Sequence, residues 1–164
     1  MIITKLESAR RQLETAVKLY FNDAEPVSIH TLTCASHEIL AELNAKRGEG
    51  PAIMSDHMIK EPYKKEYRNM LVQAKNFFKH ADRDPGDTLE FNPEVNEYFL
   101  LDACEQYEIA TSEKVPSFIA FRAWFHSKRP HLMNLPSNSM IKENFGDDKF
   151  NFYLTMLSAA GTLE

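Results

Sequence analysis

Along nearly the whole chain apolar residues return every third or fourth position, and no stretch alternates inward and outward over the length of a strand. That period belongs to amphipathic helices and predicts an all-α fold. Breakers divide it into segments. The first helix spans 5–21, with Leu6, Ala9, Leu13, Ala16, Val17 and Tyr20 on one stripe. Thr4 and Glu7 have capping-box spacing at its start. After the break at 22–26 a second helix spans 27–46, with Ile29, Leu32, Ile39, Leu40 and Leu43 as its apolar stripe. Gly48, Gly50 and Pro51 end it and open a loop that lasts to about residue 61.

The third helix, 62–81, has the cleanest pattern: Tyr63, Tyr67, Met70, Leu71, Ala74, Phe77, Phe78 and Ala81 share a face. Residues 82–87 form a turn around Pro85-Gly86, and 88–91 reads as briefly extended. Asn92 caps a fourth helix, with Pro93 at its first position, reaching Thr111. A fifth starts at Pro116 or Ser117 and ends at 128–130. The tail adds one or two more, the last capped by Asp147 or Asp148. The expectation is a single all-helical domain over 1–164, a bundle of six to seven helices.

Composition bounds the class. The chain has 164 residues, 43% hydrophobic and 26% charged, which suits a globular domain and neither disorder nor a membrane span. The start of the chain lacks a signal-peptide pattern, and no apolar run has bilayer length, so no membrane partner is expected. Two cysteines, Cys34 and Cys104, are too few for a secreted disulfide framework and point to free thiols in the cytoplasm, with a bridge between them the alternative if their helices touch. The net charge of −5 argues against the whole surface being a nucleic-acid footprint. Charge is segregated, however. Residues 60–83 hold seven Lys/Arg and three Asp/Glu, while the rest of the chain holds 12 and 21.

Four groups could carry chemistry. Asn76, Lys79, His80 and Arg83 fall opposite the aromatic stripe of the third helix, extended by Asn69, Lys65 and Arg68. Cations neutralise phosphate, and histidine moves a proton near neutral pH, so this face suits a nucleotide or RNA. A solvated helix face would have the same composition. His30, Cys34 and His37, at offsets of four and three, lie within an arc of about 60° on the second helix and are metal-ligand types. A fourth ligand would come from elsewhere, with Glu38, Asp56 and His57 as candidates. Packing against a neighbouring helix is the alternative. Asp82 and Asp84 begin a calcium-loop spacing, but Gly86 comes one position early and Pro93 stands where the final Glu belongs. Residues 126–131 add a second basic cluster after the fifth helix, which would make a shared cationic cleft if it folded beside His80. Nucleophile elbows, phosphate-cradling glycine loops and paired CxxC motifs are absent from the sequence.

The segment Asn76-Phe77-Phe78-Lys79-His80-Ala81-Asp82-Arg83-Asp84-Pro85 resembles the signature of a family of small uncharacterised bacterial proteins. The run Pro26-Val27-Ser28-Ile29-His30-Thr31-Leu32, His37-Glu38-Ile39-Leu40 and Ala123-Trp124-Phe125 fit it too, so the similarity covers about 9–130. It implies a bacterial source and little chemistry. More distantly the chain is similar to HEPN domains, helical bundles that often dimerise and in many cases cleave RNA. Their signature is an Arg followed after four to six residues by a His. Here Arg122 and His126 have three residues between them, and Arg68 and His80 are further apart than the signature allows.

The function expected is a non-enzymatic helical interaction or regulatory module, homo-oligomeric through its aromatic faces. One alternative is an HEPN-like nucleotide- or RNA-binding module using Asn76, Lys79, His80 and Arg83. The other is a metal-binding protein using His30, Cys34 and His37.

Overall fold

A computed structural model describes residues 1–50, 52–54, 60–82, 85–132 and 139–161. It contains α1 (Lys5–Phe21), α2 (Pro26–Lys46), α3 (Glu61–Phe77), α4 (Val95–Thr111), α5 (Pro116–Lys128), a single 3-10 turn (Pro130–Leu132), α6 (Ser139–Phe145) and α7 (Lys149–Ala159). No strand forms among the described residues, so the all-α expectation holds. No helix among them is long and apolar enough to cross a membrane.

Local chemistry sets the helix ends. The Thr4 hydroxyl accepts from the Glu7 amide at 3.1 Å and starts α1. The return arm of the capping box does not form, because the Glu7 carboxylate pairs with Arg11. At α2 the Glu25 carboxylate takes both the Val27 and Ser28 amides, at 2.9 and 2.8 Å, with Pro26 at the first position. Those two donors hold its pKa below the usual carboxylate range. Asp148 caps α7 through the Asn151 amide at 3.0 Å.

Two boundaries differ from the periodicity. The third helix stops at Phe77 rather than 81, because the Asn76 carbonyl accepts both the Lys79 and His80 amides and closes the last turn. The fourth helix starts at Val95 rather than Pro93. Asn92 accepts from the Glu94 amide at 3.0 Å, and i→i+3 bonds from 95, 96 and 97 make a tight lead-in turn before the α-helix proper.

One buried apolar cluster draws on α1, α2, α4, α5, α6 and α7. Its centre is aromatic: Phe21 stacks on Tyr153 at 4.4 Å and meets Phe121, Trp124 and Phe152 at 6.3–6.5 Å. α7 thereby closes the core laid down by α1 and α5. α2 is packed between α1 and α4, and this widens its buried face beyond the expected stripe. Its buried residues are Ile29, His30, Thr33, Cys34, Ser36, Leu40 and Asn44, with Leu32 and Ile39 only half-buried. A helix covered from two sides buries polar side chains wherever they find partners.

α3 also departs from expectation. Despite its clean apolar pattern it buries no residue fully, and among the described residues α2 is the only helix it packs against. Leu71 and Ala74 line a pocket with His30, Leu89 and Phe91, and Phe78 meets His30 and Phe91 edge to face, while Tyr63 and Met70 are each 60% exposed.

Candidate functional site

Polar chemistry in the interior concentrates on the seam between α2 and α4. His30, His37 and Asn44 are seven residues apart, so they recur on one face of α2. Each meets a polar residue of α4: His30 meets Asn96, His37 meets Asp102, and Asn44 meets Gln106. The partners rise in number together, so the two helices run parallel.

The top of the seam is a relay. Asn96 donates its amide to the Pro26 carbonyl at 3.0 Å, which turns its oxygen toward His30. His30 Nδ1 therefore donates to Asn96 Oδ1 at 2.8 Å and carries the ring proton, leaving Nε2 as acceptor. The Cys34 thiol lies 3.4 Å from that Nε2 and donates to it. Phe78, Phe91 and Phe99 surround the imidazole edge to face at 5.2–5.7 Å. In this apolar cage the ring is neutral: burial pushes its pKa down against the opposing pull of Asn96. Burial pushes the Cys34 thiol up to about 12.

The middle of the seam centres on Asp102. Asp102 is fully buried, and its carboxylate accepts from His37 Nε2 at 2.9 Å and from the Ile53 and Met54 amides at 3.0 and 2.7 Å. One side chain thus ties α4 to α2 and to the loop that follows α2. At the foot, Asn44 donates to both the carbonyl and the side-chain oxygen of Gln106, at 2.9 and 2.8 Å.

His30, Cys34 and His37 therefore do not converge as ligands. His30 offers Nε2 to its own cysteine, while His37 Nε2 is taken by Asp102. Among the described residues no group of three or more His, Cys, Asp or Glu is placed to hold a metal. Asp56 and His57 lie outside the described residues.

The expected polar face of α3 divides. Asn76 and His80 line one groove of about 560 Å³ with Gln73, Phe77, Asp82, Asp87, Thr88 and Leu89. Lys79 is exposed and does not line it. Arg83 and Asp84 lie outside the described residues. The basic stripe is also broken up, since Lys75 turns onto α2 to pair with Glu38, and Lys64 pairs with Glu61 at 2.6 Å. The groove's own acidic residues are Asp82 and Asp87.

The second basic cluster stays apart from His80. Among the described residues α3 packs on no helix but α2, and Lys128 and Arg129 have partners of their own. Lys128 pairs with Asp147 and sits 4.6 Å over Trp124. Arg129 pairs with Glu97 and covers Tyr98 and Phe125 at 5.4 and 5.2 Å. Arg122 is bound by Glu105 and Glu108, one turn before His126.

Sequence reasoning missed the α4 half of the seam, Asn96, Asp102 and Gln106. The seven-residue recurrence of His30, His37 and Asn44 was the signal that a polar partner face existed. Comparison with known proteins finds no matching family model, no matching curated protein and no matching solved structure.

Proposed function

We propose that the chain is a non-enzymatic helical interaction module that pairs with a second copy of itself through α3. The observation that carries this reading is the line Tyr63, Met70 and Phe77, seven residues apart along one edge of α3. Tyr63 and Met70 are exposed and Phe77 is half-buried. Such spacing is the seam of a left-handed helix pair. About a two-fold axis at Met70, an antiparallel copy sets Met70 on Met70 and Tyr63 against Phe77, so the stripe complements itself. The positions beside the seam, Glu66, Gln73, Tyr67 and Ala74, hold one charge per copy, and Glu66 falls opposite Gln73 rather than another carboxylate.

The buried polar seam supports a structural role for His30, Cys34 and His37, which hydrogen-bond inside the bundle to Asn96, His30 and Asp102 respectively. We place the protein in a bacterial cytoplasm on the resemblance of its 76–85 segment and on its two buried free cysteines. Nucleotide or RNA binding is the second reading, favoured because Asn76 and His80 share a groove.

Light scattering on the eluting protein tests the first reading. A dimer is expected for the native chain and a monomer for Met70→Glu, with the helical spectrum unchanged. A native monomer at the highest soluble concentration overturns it. Salt-sensitive RNA retention lost in His80→Ala would instead support the second.

A further inference from the structure

A cleft of about 570 Å³ opens where α1, the start of α5 and α7 meet, on helices distinct from the α3 seam. One wall is basic. Arg10, Arg11 and Lys18 project from the same side of α1, with Glu14 and Thr15 between them. Arg10 is held by Glu14 and Glu113, and Arg11 by Glu7, which fixes both guanidinium groups. Lys18 is exposed and has no ion-pair partner among the described residues.

The opposite wall is the first turn of α5. Val115 at its N-cap has no capping side chain, and Pro116 follows without an N–H. The Phe118 and Ile119 amides both bond the Val115 carbonyl at 3.0 Å, so Ser117 stands at the uncapped positive end of a 13-residue helix.

Two hydroxyls mark this end as more than an exposed helix start. Ser117 is 8% exposed and Tyr153 is 6% exposed, and both line the cleft. Neither hydroxyl has a hydrogen-bond partner among the described residues. The Tyr153 ring is fixed by its stack on Phe21. Neither oxygen is shut away from the cleft as a buried orphan. The two side chains are more than nine-tenths buried yet open their hydroxyls to one cleft, where a single acceptor from outside can take both. Val115, Pro116 and Leu157 supply an apolar floor beside them.

We propose that this cleft binds a phosphomonoester carrying a small apolar group. Its oxygens accept from the Ser117 hydroxyl at the start of α5, from the Tyr153 hydroxyl and from Lys18 of α1, and its apolar part rests on Val115 and Leu157. Arg10 and Arg11 are matched by Glu14, Glu113 and Glu7, so Lys18 supplies the free positive charge beside the positive end of α5.

Titration with phenyl phosphate, followed by backbone amide resonances at low salt, tests this. Saturable shifts are expected at Ser117, Phe118 and Leu157, with inorganic phosphate binding more weakly for want of the apolar contact. Tyr153→Phe keeps the stack on Phe21 and removes only the hydroxyl, so it folds. It is expected to weaken binding about tenfold, the loss of one hydrogen bond to a charged group. Ser117→Ala and Lys18→Ala should each weaken it several-fold. Absence of saturable shifts overturns the proposal, as does an affinity unchanged in both Tyr153→Phe and Ser117→Ala. Phenyl phosphate binding no tighter than inorganic phosphate overturns the apolar half. Dimerisation through α3 is unaffected by either result.

Discussion

Replacing Asp102 should do more damage than replacing any single exposed charge, and the geometry sets the size. Asp102→Ala removes one acceptor from three donors at once: His37 Nε2, the Ile53 amide and the Met54 amide. A donor left unmatched in a buried place costs roughly 1–3 kcal/mol. His37 retains slight exposure and Ile53 lies at the surface, so water satisfies part of the loss. The expected cost is therefore about 2–4 kcal/mol, below the simple sum, against a total stability of roughly 5–15 kcal/mol. Asp102→Asn keeps the volume and one acceptor oxygen but turns an N–H₂ toward at least one existing donor, so it should fall between wild type and alanine. Urea unfolding with a constant m-value measures the difference. Amide exchange at Ile53 and Met54 should rise before global unfolding, because Asp102 is what ties that loop to α4. A cost for Asp102→Ala below about 1 kcal/mol, or unchanged exchange at 53 and 54, would refute the reasoning.

Other expectations follow from the same interior. His30 has a folded pKa below its unfolded value of about 6.5, so the unfolded chain takes up the proton first and stability is lost as pH falls through that value. The slope reaches at most about 1.4 kcal/mol per pH unit for this one group. His126, also depressed by burial, acts in the same direction. Denaturation series should show His30→Asn with a shallower acid dependence than wild type, and equal slopes would remove His30 as a contributor. Cys34 and Cys104 are buried, and burial raises both thiols, so maleimide should label neither in the native protein and both after unfolding. Rapid native labelling of Cys34 would contradict its place as donor to His30.

The helices themselves were legible because their determinants are local. Thr4 and Asp148 cap helices within three residues of themselves, and the apolar period of α1 matches the residues it buries. The errors at the ends of α3 and the start of α4 arose within one turn, where a carbonyl shared by two amides or an Asn92 side chain chooses between α and 3-10 geometry. Periodicity averages over several turns and is blind to that choice.

The candidate sites were legible only as residue types. Asn76 and His80 line one groove, as two residues four positions apart can. Lys79 fell outside their groove because the helix that would have aligned it had already ended. His30, Cys34 and His37 share a face of α2 as their spacing requires, yet what they do is decided by Asn96 and Asp102, more than 60 residues away. Ser117 and Tyr153 gave no signal, because an unpaired hydroxyl is defined by neighbours it lacks.

The sequence by itself therefore determined that the chain is helical, where most of its helices run, and which side chains each face carries. These follow from a backbone period and from caps within a turn. Tertiary structure alone decided that the polar face of α2 lies inside and the cleanest apolar face of α3 lies partly outside. Burial depends on what packs against a face, and a polar face goes in when another helix satisfies its hydrogen bonds.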